Sequence, residues 1–301
     1  IGTGGSDGLS LAPFSPSNFL SGVPGLGLMW AFFGFIGFEA TAVFRNEAKD
    51  PEKTIPRATY IAVAFIALFY GFSGWCLVMG AGTDNALAFA QETQDAYALE
   101  LAALYVGQWL YDVFQCLLVT SLFACALALH NVASRYTFTL SRMKVLPTRL
   151  GEVHKTHFAP SNASMSISIV SFALLTIVTI VGLGPLTVYA WFANTATLGL
   201  LILQMLTSVS VVVFFRRVVH GASIWRTLIA PVAAAACLAF VASVVLSNFA
   251  DLTGDMTSAL VMGSLIPLSY LAGMAIAGRM KKNRPSDFSN LAILVSGQSA
   301  A

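Results

Sequence analysis

Apolar runs alternate with short polar stretches along almost the whole chain. The runs cover residues 25–44, 58–80, 101–129, 163–182, 186–215, 228–246 and 259–278. Each is close to or above the roughly 20 residues that a membrane-spanning helix needs. Between the first two lies a polar turn, residues 45–57, where Thr54 suits an N-cap and Pro56 a first helical turn. Residues 81–100 read as a loop carrying Asp84, Glu92, Asp95 and Glu100 and no base. Residues 142–155 form a basic loop, Gly184-Pro185 a tight turn, and a short loop holds Asp251 and Asp255. Residues 1–24 are rich in Gly, Ser and Pro and read as a loop with a short interfacial helix around residues 17–21. Residues 285–301 read as disordered. The pattern predicts an all-α membrane protein of about seven transmembrane helices.

Composition agrees with this class. Of 301 residues, 57% are hydrophobic and 10% charged, against about 25% charged in a soluble domain. Mean hydropathy is +0.77. A net charge of +2, divided among several loops, gives no basis for nucleic-acid binding. Cys76, Cys116, Cys125 and Cys237 all lie in apolar runs without Cys-x-x-Cys spacing, which reads as buried thiols and not a disulfide or metal set. With no initiator Met and no basic leader, the chain reads as a piece of a longer one. Every Lys and Arg falls in the loops after the first, third and fifth runs or in the tail. The positive-inside rule then places the N-terminus outside and the C-terminus in the cytoplasm.

One stretch stands out chemically. Gly34-Phe35-Ile36-Gly37-Phe38-Glu39 puts two glycines and a carboxylate in the middle of the first run. Gly costs about 1 kcal/mol of helix propensity relative to Ala, and a central acid roughly 2.5–3.5 kcal/mol on insertion scales. Irregular backbone survives at that depth only where protein or a water-filled cavity surrounds it. The expectation is a discontinuous helix whose free backbone groups face a ligand. The bland alternative is a packing Gly-x-x-Gly with a neutral, hydrogen-bonded Glu. Asp112, beside Trp109 and Tyr111, reads as an interfacial acid.

Other seven-helix classes fit poorly. Ser134-Arg135-Tyr136 lacks the acid of a receptor motif, and the last run has no Asn-Pro-x-x-Tyr. No Lys lies within a run to hold retinal. Gly71-Phe72-Ser73-Gly74 matches a Gly-x-Ser-Gly protease motif with His130 as partner. Ser73, however, stands about 24 Å along its helix from Arg57, and His130 about 8 Å from Arg135 on the same side, so their depths differ. His154 and His157 form a His-x-x-His in a polar loop with no third ligand nearby, which reads as solvated loop and not as metal site.

The remaining class is a transporter. Phe32-Phe33-Gly34-Phe35-Ile36-Gly37-Phe38-Glu39-Ala40, with Glu47-Ala48-Lys49-Asp50-Pro51 and Thr54-Ile55-Pro56-Arg57-Ala58, resembles the sixth helix and following loop of amino acid permeases of the amino acid–polyamine–organocation superfamily. His130 to Tyr136 with Ser141-Arg142 and Leu146-Pro147 resembles the eighth helix and its extension. Thr197-Leu198-Gly199-Leu200, ending in Phe214-Phe215-Arg216-Arg217, resembles the tenth.

The resemblance implies a LeuT-type fold of two inverted repeats, with this chain as helices six to twelve. Residues 1–24 would be an extracellular loop and 25–217 the second repeat, its first helix discontinuous. Residues 218–278 would be two peripheral helices and 279–301 a cytoplasmic tail. The implied activity is secondary active transport of an amino acid or amine across the cell membrane by alternating access. No enzymatic step, cofactor or metal is implied. Protons or sodium are candidate coupling ions, and membrane lipids surround the helices. The missing upstream helices, or a partner chain, would be needed for transport; a non-transporting fragment or partner-dependent scaffold is the alternative. Phe33 would be the aromatic gate, Gly34, Phe35, Ile36 and Gly37 the substrate-facing backbone, and Glu39 a coupling carboxylate. Ser121, Cys125 and Ala126 on the third span, and the polar cluster Asn194, Thr195 and Thr197 on the fifth, are further candidates to line the cavity or, equally, to pack helices together.

Overall fold

The structure, a computed structural model, describes residues 8–43, 48–154, 156, 159–217, 221 and 223–289. Among these residues there are helices and no strands. Seven helical segments are long and apolar enough to cross a membrane. The chain is therefore an all-α, multi-pass membrane protein, as its hydrophobic pattern predicts.

After a short 3-10 turn, α1 (Pro16–Leu20) starts with Ser15 Oγ accepting from the Asn18 N–H at 3.3 Å. This is the short helix expected near residues 17–21. The first span is α2 (Pro24–Phe35), four residues of turn, then α3 (Ala40–Val43). Pro24 opens α2, where the missing N–H costs no hydrogen bond. The second span, α4 (Pro51–Ala81), begins earlier than the polar turn suggested. Asp50 takes a left-handed φ of 51° and Pro51 becomes the first helical residue. Thr54 is thus no N-cap; its hydroxyl donates to the Lys49 carbonyl at 2.7 Å, and Pro56 sits inside the helix.

Residues 81–100 are not a loop. They contain α5 (Ala86–Thr93), a 3-10 turn and the start of α6 (Tyr97–Tyr105). Four acids gave these residues a polar look, yet their Ala and Leu content suits helix. The third span consequently starts at Gln108, not near residue 101. Gly107, at φ +118°, separates α6 from α7 (Gln108–Arg142). The remaining spans are α8 (Ser161–Val181), α9 (Pro185–Arg217), α10 (Ala230–Ser247) with a π turn at Trp225–Ile229 before it, and α12 (Met256–Asn283). Between the last two lies α11 (Phe249–Thr253), closed by Gly254 in the left-handed conformation. Residues 285–289 are helical where disorder was expected; residues 290–301 lie outside the described part.

The chain forms two compact units. One comprises Ile1–Gly22, Gly37–Arg142 and Leu146–Ser168. Within it, α6 lies across the end of α4. Tyr97 and Tyr105 donate their hydroxyls to the Leu77 and Gly80 carbonyls at 3.2 and 2.7 Å, and the second of these satisfies a group that the last turn of α4 leaves open. Burial pushes the Tyr97 hydroxyl above the ordinary tyrosine pKa. Trp75 Nε1 ties the incoming N-terminal segment to α4 through the Ser10 carbonyl at 2.8 Å. At the far end of α7, the Ser141 hydroxyl donates to the Pro147 carbonyl at 2.6 Å. Gly151 comes back so close that a Cβ there would stand 2.9 Å from that same hydroxyl.

The other unit comprises Val23–Ile36, Met143–Val145 and Ile169–Ala301. Its core gathers Met29 from α2, Leu198 and Leu201 from α9, Val241 and Val245 from α10, Phe249 and Leu252 from α11 and Ala259 from α12. Gly25 permits a close approach: a Cβ there would meet Asn248 Nδ2 at 2.6 Å. Small residues at such contacts are the usual means by which spans pack closely in lipid.

Candidate functional site

The first span breaks where the sequence placed the break. The Ile36 N–H reaches back to the Phe33 carbonyl at 3.1 Å, an i→i−3 bond that tightens the last turn of α2. Gly37 then takes φ +112°, a conformation closed to side chains with a Cβ. Its N–H leaves the helical pattern and donates to Glu39 Oε2 at 2.9 Å. Regular bonding resumes as the Ala40 N–H reaches the Gly37 carbonyl and the Ala42 N–H the Glu39 carbonyl, at 3.1 and 2.9 Å. Among the described residues no backbone hydrogen bond ends on the carbonyls of Gly34, Phe35 or Ile36. These three acceptors stand at a helix C-terminus, where the summed peptide dipoles amount to roughly half a negative charge. Such an end attracts a cation or a hydrogen-bond donor.

The restart is held by groups that the sequence did not single out. The Thr41 hydroxyl donates to the Phe38 carbonyl at 3.0 Å and lies 2.7 Å from the Thr59 hydroxyl of α4. Thr59 in turn donates to the Ile55 carbonyl. Thr41 and Thr59 sit far apart in sequence, and each alone is an unremarkable span threonine.

Phe33 also has partners that were not foreseen. Its ring centroid is 5.5 Å from Trp30 and 6.0 Å from Tyr189, with interplanar angles of 82° and 86°. Trp30 and Tyr189 are themselves 6.2 Å apart and nearly parallel, at 16°. Trp30 could have been found, since residues three apart share a helix face. Tyr189, on another helix, gives no such signal.

The polar cluster of the fifth span is engaged within the protein. Asn194, only 2% exposed, donates through Nδ2 to the Leu252 carbonyl at 2.7 Å. Trp191 Nε1 does the same for the Thr253 carbonyl at 2.8 Å. Together they satisfy carbonyls at the end of α11, which a helix terminus leaves open. Thr195 and Thr197 donate to the Trp191 and Ala193 carbonyls of their own helix, both at 2.7 Å. Thr197 is buried and Thr195 partly so.

Ser121, Cys125 and Ala126 lie along an exposed stretch of α7, on the unit that does not contain Phe33. The four cysteines are not buried: Cys116, Cys125 and Cys237 are exposed and Cys76 partly so. His130 does not face Ser73; its Nε2 lies 2.9 Å from Ser164 Oγ. His154 Nδ1 accepts from the Thr156 N–H, while His157 lies outside the described residues. Asp112 pairs with Gln108 Nε2 at 3.1 Å in the first turn of α7.

A family model for amino acid permeases matches residues 9–287. The chain belongs to that family. The matched region takes in the break, the aromatic trio and the whole fifth span. Among curated proteins, the branched-chain amino acid permease BcaP of Bacillus subtilis is 26% identical over 206 residues, covering 68% of this chain and 41% of that protein. BcaP of Lactococcus lactis is 24% identical, over 69% of this chain and 42% of its own length. The chloroplastic cationic amino acid transporter 7 of Arabidopsis thaliana is 28% identical, over 60% of this chain and 32% of its own. The chain thus spans roughly two fifths, or less, of the curated relatives it matches. No solved structure matches it.

Proposed function

We propose that this chain takes part in secondary active transport of amino acids by alternating access, and that the break at residues 34–39 lies at the substrate site. The observation that carries this reading is the helix end in mid-span: three carbonyls without backbone partners among the described residues, a left-handed glycine and a carboxylate folded back onto it. Nothing in a structural helix needs that arrangement, and hydrocarbon penalises it. The Gly34, Phe35 and Ile36 carbonyls receive the substrate ammonium, and Gly37 allows the ligand to come close to the backbone. Phe33 closes over it. Glu39 holds the Gly37 N–H and so couples the shape of the break to its own ionisation. Ser121, Cys125 and Ala126 face the path on the third span. Asn194, Thr195 and Thr197 stand behind the site as supports of α9 and α11, because Asn194 Nδ2 and both threonine hydroxyl protons already bond carbonyls of the protein.

We further propose that residues 25–217 act as one of two inverted repeats of a LeuT-type fold, with residues 218–278 as peripheral helices. In such transporters the site forms at the repeat interface, and one repeat rocks against the other. Protons or sodium would supply the driving force. The basic loops support a cell-membrane protein with its C-terminus in the cytoplasm. Cysteines introduced at Asn85 and Thr148, in a background without the four native ones, check this on intact cells. An impermeant thiol reagent labels Asn85→Cys only; labelling of Thr148→Cys alone would reverse the orientation.

The test of function is uptake of radiolabelled amino acids into vesicles holding this chain, compared with the chain joined to helices of a first repeat. Saturable uptake is expected only from the joined form. Saturable uptake by residues 1–301 alone would sink the repeat assignment. Its absence from both forms would sink the transport reading.

A further inference from the structure

We propose that Trp30 and Tyr189 are positioning residues that fix the Phe33 ring and thereby set which side-chain bulk the site accepts; this rests on the transport reading above. The three rings pack against one another in a triangle. Phe33 stands edge-on to both neighbours, at 82° to Trp30 and 86° to Tyr189, while those two are nearly parallel at 16°. All three centroid separations, 5.5 to 6.2 Å, lie in the range where edge-to-face and offset-stacked aromatic pairs are favourable. Phe33 thus packs edge-on against a stacked pair of rings that share one orientation.

The walls are themselves anchored. Trp30 follows Met29, which is fully buried in the core with Leu198 and Leu201 of α9. Tyr189 stands in the opening turns of α9, the helix that supplies those leucines. The trio therefore sits on one packed body, one turn or less before the free carbonyls at the end of α2. Its outer members are not core residues: Trp30 is 42% and Tyr189 47% exposed. Two large rings stacked beside a third at half exposure contribute little burial. Their specific effect is on the Phe33 ring that packs against both. With both walls present Phe33 has one favoured orientation. Without Tyr189 the ring keeps a single wall and swings, so the space beside Gly34 to Ile36 loses its fixed width.

The consequence is selectivity between amino acids of different bulk. In the full-length transporter, Tyr189→Ala changes the ratio of kcat/KM for leucine over alanine by about threefold to tenfold, the factor that corresponds to one aromatic pair. Tyr189→Phe keeps the ring and restores the ratio. Trp30→Leu, a second variant in case Tyr189→Ala does not fold, shifts it in the same direction. A readout independent of transport is 4-fluorophenylalanine placed at position 33 through a reassigned codon. Its fluorine resonance, displaced by the ring currents of two neighbours, moves toward the free value in Tyr189→Ala and Trp30→Leu and stays in Tyr189→Phe. A resonance that ignores both truncations overturns the proposal while leaving transport intact. So does an equal loss of leucine and alanine uptake, which marks a merely structural role. Absence of amino acid uptake by the parent protein strikes the transport reading itself, and this inference with it.

Discussion

In the first span the helix stops at Phe35 and restarts at Ala40; in the fifth it runs from Pro185 to Arg217 without interruption across Asn194, Thr195 and Thr197. Both places put polar groups into an apolar run. In the fifth span every one of those side chains is spent on a carbonyl, two on their own helix and one on α11. In the first span the side chain of Glu39 is spent on the Gly37 N–H, but among the described residues no backbone donor reaches the Gly34, Phe35 and Ile36 carbonyls. The difference separates two uses of polarity in a membrane. Satisfied side chains hold helices together. Backbone left open needs protein, water or a ligand to complete it. Mutations at the break should therefore alter transport more than stability, and mutations in the fifth-span cluster the reverse.

The largest effect on uptake is expected at Gly37. Its φ of +112° excludes any residue with a Cβ, although open space surrounds it. Gly37→Ala therefore meets backbone strain and not a clash, at a cost on the order of 1–3 kcal/mol. The strain falls on the break alone. Amino acid uptake by the joined form in vesicles should drop by roughly tenfold or more, a factor of ten being about 1.4 kcal/mol, while the melting temperature falls only modestly. Retained uptake would show that the left-handed turn is dispensable and dissolve the contrast.

Glu39→Gln comes next. Gln keeps the size and an acceptor for the Gly37 N–H but cannot ionise. Hydrogen bonds to charged groups exceed neutral ones by about 1 kcal/mol, so turnover should fall several-fold or its pH profile flatten, with folding preserved. Normal rates and an unchanged pH profile in reconstituted vesicles would reduce Glu39 to a cap of the broken turn.

The sequence made the break legible because two glycines and an acid in mid-span are costly and unusual together. The helical class and the spans were legible from hydropathy alone. Helix starts were not: Pro51 and Gly107 set them, and which of several candidate prolines or glycines wins depends on the local φ that the fold imposes. The helices α5 and α6 were hidden by their acids, since charge signals exposure and says nothing against helix. Tyr189 and Thr59 were out of reach for another reason: each acts through a partner on a different helix, and no periodicity within one run encodes such a contact. Asn194 illustrates the limit most clearly. A buried amide in an apolar helix looks the same in sequence whether it meets a substrate or the Leu252 carbonyl.

Asn194→Ala tests that assignment. It removes the donor to a buried carbonyl at the end of α11 and should cost on the order of 1–3 kcal/mol of stability. The expected outcome is a lower melting temperature in detergent, with an unchanged KM for whatever transporter remains folded. A raised KM at unchanged stability would move Asn194 into the site and erase the distinction between the two spans.

The smallest effect sharpens the role of Glu39 by contrast with another carboxylate. Asp255 caps α12 outside the spans: Oδ1 accepts from the Ser258 N–H at 2.9 Å and Oδ2 from the Ser258 hydroxyl at 2.7 Å. These bonds favour the ionised form and hold its pKa below the ordinary Asp value. A carboxylate with a lowered folded-state pKa stabilises above its unfolded pKa, and that contribution disappears as the pH falls through the folded value. The window therefore lies in acid, below about pH 4, and leaves neutral pH untouched. Asp255→Asn still caps the helix, because Asn is among the favoured N-cap residues, but it has no proton to gain. Melting curves across pH should show the parent losing its small advantage over the variant only in that acid window. The pH profile of uptake near neutrality should be the same for both. If Asp255→Asn shifted that profile as much as Glu39→Gln does, pH dependence would be a general property of helix-capping carboxylates in this protein, and the break would lose its special standing.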